Sequence, residues 1–282
     1  MLEFFHALND PNIPFLRYAL LTGILASVAF GIMGTYVVVR RISYIAGAIS
    51  HSVLGGIGAA FYLQNAMGWD WVHPMLGALV AALLSALIIG LVSLYAKQRE
   101  DTVIGAIWAI GMAIGLLFLA KTPGYVDPMS YLFGNILLIS KGDLWLVVGL
   151  DCLILGVILF CYQTFLAVFF DEEHCRLRGI RTQFYYLLLL CLTALTIVLL
   201  VRVVGIVMVI ALLTLPSAVA AHFSRSMGQM MLLSVGFCMV FVLTGMGVSY
   251  TQNLPTGPVI ILLAGLVYLL VTLALQWLRK PD

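Results

Sequence analysis

Apolar residues fill most of the chain in long runs, and polar or charged residues gather between them. The runs cover about residues 15–39, 43–65, 72–96, 102–120, 143–167, 183–201, 204–223, 229–250 and 257–278. Each has roughly the 20 residues a helix needs to cross a hydrocarbon layer about 30 Å thick. The pattern therefore predicts nine transmembrane helices. From Phe184 to Ala221 only Arg202 interrupts an apolar run of 38 residues. As one helix this run would measure roughly 57 Å, nearly twice the hydrocarbon thickness, so the chain is expected to reverse between Arg202 and Gly205. An arginine at such a turn reaches the headgroups.

The basic residues orient this array. With the amino terminus outside, Arg40, Arg41, Lys97, Arg99, Arg176, Arg178, Arg181, Arg225, Arg279 and Lys280 fall on the cytoplasmic side, and only Arg17, Lys121, Lys141 and Arg202 fall outside. Basic residues concentrate on the cytoplasmic side of membrane proteins. The amino terminus is therefore placed outside and the carboxyl terminus in the cytoplasm, as an odd number of spans requires.

Composition agrees. Of the 282 residues 63% are hydrophobic and 9% charged, against about 25% charged in an ordinary soluble domain. A soluble globular fold is excluded, and the whole chain, 1–282, reads as one all-α polytopic membrane domain. A net charge of +2 makes no case for nucleic acid. Cys152, Cys161, Cys175, Cys191 and Cys238 form no CxxC pair and read as small apolar residues. Residues 1–14 hold Glu3 and Asp10 but no Lys or Arg, so the first apolar run is expected to remain in the mature protein.

Ionisable groups deep within spans are costly, on the order of 2.5–3.5 kcal/mol each by insertion scales, and they mark function by default. Two stand out, His51 and Asp151. Gly47, His51 and Gly55 are spaced four apart and share one helix face, so the imidazole is expected to border a gap. Ser50 and Ser52 add hydroxyls, and Gly55, Gly56 and Gly58 favour irregular backbone of the kind that lines transport paths. Asp151 either pairs with His51 or Arg202 or lines the path itself. His73 and His222 fall at span ends, where interfacial roles suffice. Pro216 removes a backbone hydrogen bond and is expected to kink the seventh span. The glycines within the spans, such as Gly31, Gly34, Gly111 and Gly115, serve close helix packing. Between Lys121 and Gly142 the apolar stretch 131–139 is too short to span; it either lies at the interface or re-enters.

The inner segment at about 170–182 differs in character. Asp171 suits a helix cap, Glu172 and Glu173 its first turn, Arg176 and Arg178 its end, and Gly179 its stop. Glu172 and Arg176 form an i,i+4 pair of the favoured polarity. Such a short surface helix reads as a docking element. Glu100 and Asp101 make a second acidic point on the same side. No lysine completes a phosphate-binding loop, so ATP hydrolysis is expected from another chain.

These segments together resemble the membrane permeases of ABC importers for zinc, manganese and iron. The resemblance runs from about Leu20 to Leu275. It rests on residues 39–43 (VRRIS), 48–54 (AISHSVL), 100–105 (EDTVIG), 132–137 (LFGNIL), Asp171 with Cys175 and Gly179, 204–209 (VGIVMV) and 215–217 (LPS). It implies a type II importer: two permease copies, two cytoplasmic ATPases, and an extracytoplasmic metal-binding protein, in the bacterial plasma membrane. Residues 171–179 resemble the coupling helix that docks on the ATPase. The metal is cargo, and no resident cofactor is implied. The family commonly carries an Asp four residues before the histidine; here that position is Gly47. Carboxylates suit manganese and imidazole suits zinc, so the change favours zinc. Rival readings are a permease for a chelated metal, a secondary transporter driven by an ion gradient, and an intramembrane enzyme using His51 with Ser50 or Cys152.

Overall fold

A computed structural model describes residues 4, 7–8, 14–95, 100–123, 132 and 141–278, without the side chains of 14, 15, 100, 141, 202, 203 and 278. The described residues are helical almost throughout: α1 Pro14–Val39, α2 Ser43–Met67, α3 Pro74–Tyr95, α4 Glu100–Lys121, α5 Lys141–Phe170, α6 Glu172–Leu177, α7 Thr182–Val204, α8 Ile206–Phe223, α9 Met227–Gln252 and α10 Thr256–Leu278. All but α6 are long and apolar enough to cross a membrane, which gives nine spans among the described residues. Helices are the expected answer, since lipid offers nothing to hydrogen-bond a free peptide group. Hydroxyls inside the spans follow the same logic. Ser27, Thr35, Ser50, Thr193 and Thr196 each donate to the carbonyl four residues earlier at 2.8 Å, so these five are satisfied in an apolar medium, whereas the buried Thr22 hydroxyl of α1 has no partner among the described residues.

The span ends carry the aromatic residues that favour the membrane–water boundary. Trp69 and Trp71 are exposed in the link between α2 and α3, and Tyr44, Tyr95 and Trp277 are exposed at the opposite ends of α2, α3 and α10. α4 and α10 expose most of their apolar surface, as lipid-facing helices do, whereas α1 and α2 are largely buried.

The long run ending in Ala221 is broken at one residue. Gly205, at φ +85°, lies between α7 and α8, a backbone region that glycine enters without a Cβ penalty. The Arg202 side chain lies outside the described residues, as does 131–139 apart from Leu132.

Two compact units emerge. The first comprises 1–39, 132–151 and 199–282, the second 40–131 and 152–198. In the first, α1 packs on α8 and α9, and α8 to α10 pack on one another. Gly34 meets the Leu213 carbonyl and Gly31 the backbone of Val235, and Ser217 and Ser234 share a 2.6 Å hydrogen bond between α8 and α9. Pro216 is buried within a helix that continues through it. In the second unit, α2 packs on both α3 and α4. The α2–α4 contact is backbone against backbone: a Cβ on Gly55 would lie 2.7 Å from the Gly111 carbonyl oxygen, and one on Gly58 would lie 2.5 Å from that of Gly115. Gly56 and Gly77 bring α2 and α3 equally close. These glycines are an interface of small residues, where dispersion between closely placed backbones replaces the hydrophobic driving force that lipid removes.

Candidate functional site

The α2–α4 glycine contact fixes the register in which His51 meets its neighbours. His51 is half-buried, and its ring stacks on Trp108 of α4 with centroids 4.5 Å apart and planes 20° from parallel. One turn further along α4, Met112 Sδ lies 2.9 Å from His51 Nδ1. A thioether has no proton to give and accepts weakly, so this contact is a hydrogen bond when Nδ1 carries the proton. That tautomer leaves the Nε2 lone pair as the imidazole's coordinating atom.

Gly47 is the other half of the arrangement. A Cβ there would lie 2.5 Å from Trp108 Cζ3 and 2.9 Å from Cη2. The indole thus occupies the space that any side chain at position 47 would need. The gap expected beside His51 is filled on that side by an aromatic ring.

The two flanking serines do not serve the histidine. Ser50 donates to the Ala46 carbonyl. Ser52 donates to Ile49 and accepts from Ser85 of α3 at 2.7 Å. Among the described residues no cluster of three His, Cys, Asp or Glu side chains is placed to hold a metal ion.

Asp151 lies in the first unit. It is buried, 7% exposed, and among the described residues neither carboxyl oxygen has a hydrogen-bond partner. The Ala29 peptide of α1 is its polar neighbour, at a geometry short of a hydrogen bond. Pairing with Arg202 concerns a side chain outside the described residues.

Also in the second unit, α6 forms as its sequence directs. The Asp171 carboxylate accepts from the His174 amide at 2.8 Å and caps the helix, a contact worth about 1 kcal/mol. Arg176 pairs with Glu172 at 2.7 Å and donates to Thr182 Oγ1 at 3.2 Å. Gly179 sits at φ +78°, with Gly179 N–H donating to Arg176 and Ile180 N–H to Cys175, the paired bonds that close a helix on a left-handed glycine. Cys175 is buried while Leu177 and Arg178 project outward. A polar crevice of about 420 Å³ adjoins this helix, lined by Arg40, Arg41, Asp101, Glu172 and Arg176 among others. The structure thus gathers five of the charged residues singled out in the sequence, Arg40, Arg41, Asp101, Glu172 and Arg176, around one cleft. The Glu100 side chain lies outside the described residues.

Sequence reasoning had no hold on Trp108 or Met112. Their i,i+4 spacing, straddling Gly111, was visible, but spacing does not say which neighbour a helix face meets.

Residues 12–275 match the family model described as the ABC 3 transport family. The chain is 42% identical over 244 residues to a probable metal transport system membrane protein of Chlamydia pneumoniae, covering 86% of this chain and 83% of that one. It is 30% identical over 267 residues to the manganese import system permease protein ScaB of Streptococcus gordonii, covering 95% and 93%. Among solved structures, PsaBC from Streptococcus pneumoniae in complex with Fab superposes with a TM-score of 0.83 at 30% identity, covering 95% of this chain and 94% of that one.

Proposed function

The chain belongs to the ABC 3 transport family, and from that premise we propose that it is the permease subunit of an ATP-driven metal importer in the bacterial plasma membrane, with zinc carried in preference to manganese. His51 presents the coordinating group in the translocation path. Two copies of the chain bring two imidazoles to that path, and a cytoplasmic ATPase docks on α6. An extracytoplasmic metal-binding protein delivers the ion.

The observation that carries this reading is the setting of His51. An imidazole in the middle of a spanning helix is held by a ring stack and a thioether contact, and it keeps one nitrogen for coordination. Relatives named for manganese import or transport support a transition-metal cargo in general. The zinc preference rests on the residue at position 47, where a glycine stands and no carboxylate is available. The second unit also holds both α6 and the His51 helix. A displacement of α6 by the ATPase therefore acts on the body that carries the metal-binding group, as alternating access requires.

The test is uptake by the complex reconstituted in proteoliposomes. His51→Ala is expected to abolish most metal uptake while the variant still inserts and co-purifies with the ATPase. Normal uptake at limiting metal would remove His51 from the path.

A further inference from the structure

We infer that Trp108 and Met112 are specificity-determining residues, which restrict the permease to imidazole-preferring ions such as zinc and exclude oxygen-preferring ions such as manganese. The inference rests on the metal-import reading and deepens it.

Three observations converge. The Gly55–Gly111 and Gly58–Gly115 contacts are made by backbone atoms, so α4 has little freedom to slide along α2. In that fixed register the Trp108 indole lies over Gly47 and against the His51 ring. No oxygen donor on this helix face fits one turn before the histidine unless the indole moves. Met112 then selects the proton position, because its sulfur at 2.9 Å accepts from Nδ1 and leaves Nε2 as the ligand. Partners that fix the tautomer of a ligating histidine are worth about 10–100-fold in metal affinity. The donor offered is neutral nitrogen beside a sulfur and an aromatic face. Carboxylate and water suit manganese and magnesium, and imidazole suits zinc.

The roles are separable. Trp108 acts by exclusion, keeping position 47 free of a side chain. Met112 acts by orientation, keeping Nε2 unprotonated and aimed. Neither role requires the metal to touch them, so both are positioning residues whose effect is read as a ratio between ions.

The experiment measures zinc and manganese uptake in competition, in proteoliposomes holding the full complex with the same ATPase and binding protein throughout. A change in the ratio then belongs to the permease. Gly47→Asp alone is expected to reduce uptake of both ions, since the new side chain meets the indole. Gly47→Asp combined with Trp108→Ala is expected to restore transport and to lower the zinc-to-manganese ratio at least about tenfold. Met112→Leu, which keeps the volume and loses the sulfur, is expected to lower zinc affinity about 10-fold or more.

Three outcomes overturn the inference: an unchanged ratio in the double variant, manganese transport by Gly47→Asp with Trp108 intact, or wild-type zinc affinity in Met112→Leu. Should that double variant fail to assemble, Gly47→Asp combined with Trp108→Leu serves, and an unchanged zinc-to-manganese ratio in it would also overturn the proposal. A parent complex that prefers manganese would sink this inference and leave metal import standing. One that moves neither ion would sink both.

Discussion

The Arg40 guanidinium lies 4.9 Å from the centre of the Phe169 ring and 5.8 Å from that of Tyr186. Phe169 closes α5 and Tyr186 opens α7, so the two rings flank α6 in sequence, and Arg40 stands in the turn that leads into α2. That turn is short and shaped by Arg41 at φ +58°. The contact therefore ties both flanks of α6 to the helix that carries His51. Cation–π pairs of this kind contribute about 0.5–2 kcal/mol.

Arg40→Ala is therefore expected to lower the metal transported per ATP hydrolysed severalfold, with hydrolysis itself less affected. Arg40→Lys should retain part of the coupling, as an ammonium also binds a ring face. The ratio of the two rates in proteoliposomes is the measurement, and an Ala variant with the parent's ratio would rule out the clamp.

Asp171→Ala removes the cap of α6 and should cost about 1 kcal/mol of helix stability. In a helix of 6 residues this loosens the whole element, and recovery of ATPase with tagged permease should drop. Asp171→Asn, also a good cap, should recover it normally. Equal recovery with all three would deny α6 a docking role.

Glycines in the spans divide by what surrounds them. Gly58→Leu drives a side chain against the Gly115 carbonyl and should lower the thermal midpoint, at a cost of about 1–3 kcal/mol or more. Gly265→Ala in α10 meets nothing within 4 Å and should be neutral or stabilising by up to about 1 kcal/mol. Thermal unfolding in detergent compares them, and equal effects would refute the packing account.

Asp151→Leu should raise the thermal midpoint, because a buried carboxyl without a hydrogen-bond partner is replaced by an apolar group of similar volume. The unmade bonds are worth about 1–3 kcal/mol. Metal uptake should fall, because an intramembrane acid retained at such cost serves transport. A lowered midpoint would reveal a structural partner for it.

Topology has its own check. A cysteine at Gln252, exposed at the end of α9, should react with an impermeant thiol reagent added to intact cells. Reaction only after the cells are opened would invert the orientation.

Much of this protein was determined by one-dimensional information. Lipid forbids unpaired backbone, so apolar runs of spanning length become helices whatever their neighbours, and the nine spans could be read directly. The cap, ion pair and stop of α6 are contacts within a few residues of one another, and residues 171–179 contain all of them. The break of the long apolar run is also local, although only the structure places it at Gly205. His51 and Asp151 were visible because charge is rare inside spans.

What surrounds those two residues was decided by tertiary packing. His51 faces Trp108 and Met112 because glycines of α2 and α4 meet backbone to backbone and lock one register among several that the apolar pattern allows equally. Asp151 lies beside the Ala29 peptide for a similar reason, since α1 is more than a hundred residues away in the chain. Helix periodicity tells which residues share a face, and nothing in it tells which face of which helix lies opposite. That choice depends on the fit of small residues between helices, a property of pairs of surfaces that a single run of sequence does not contain.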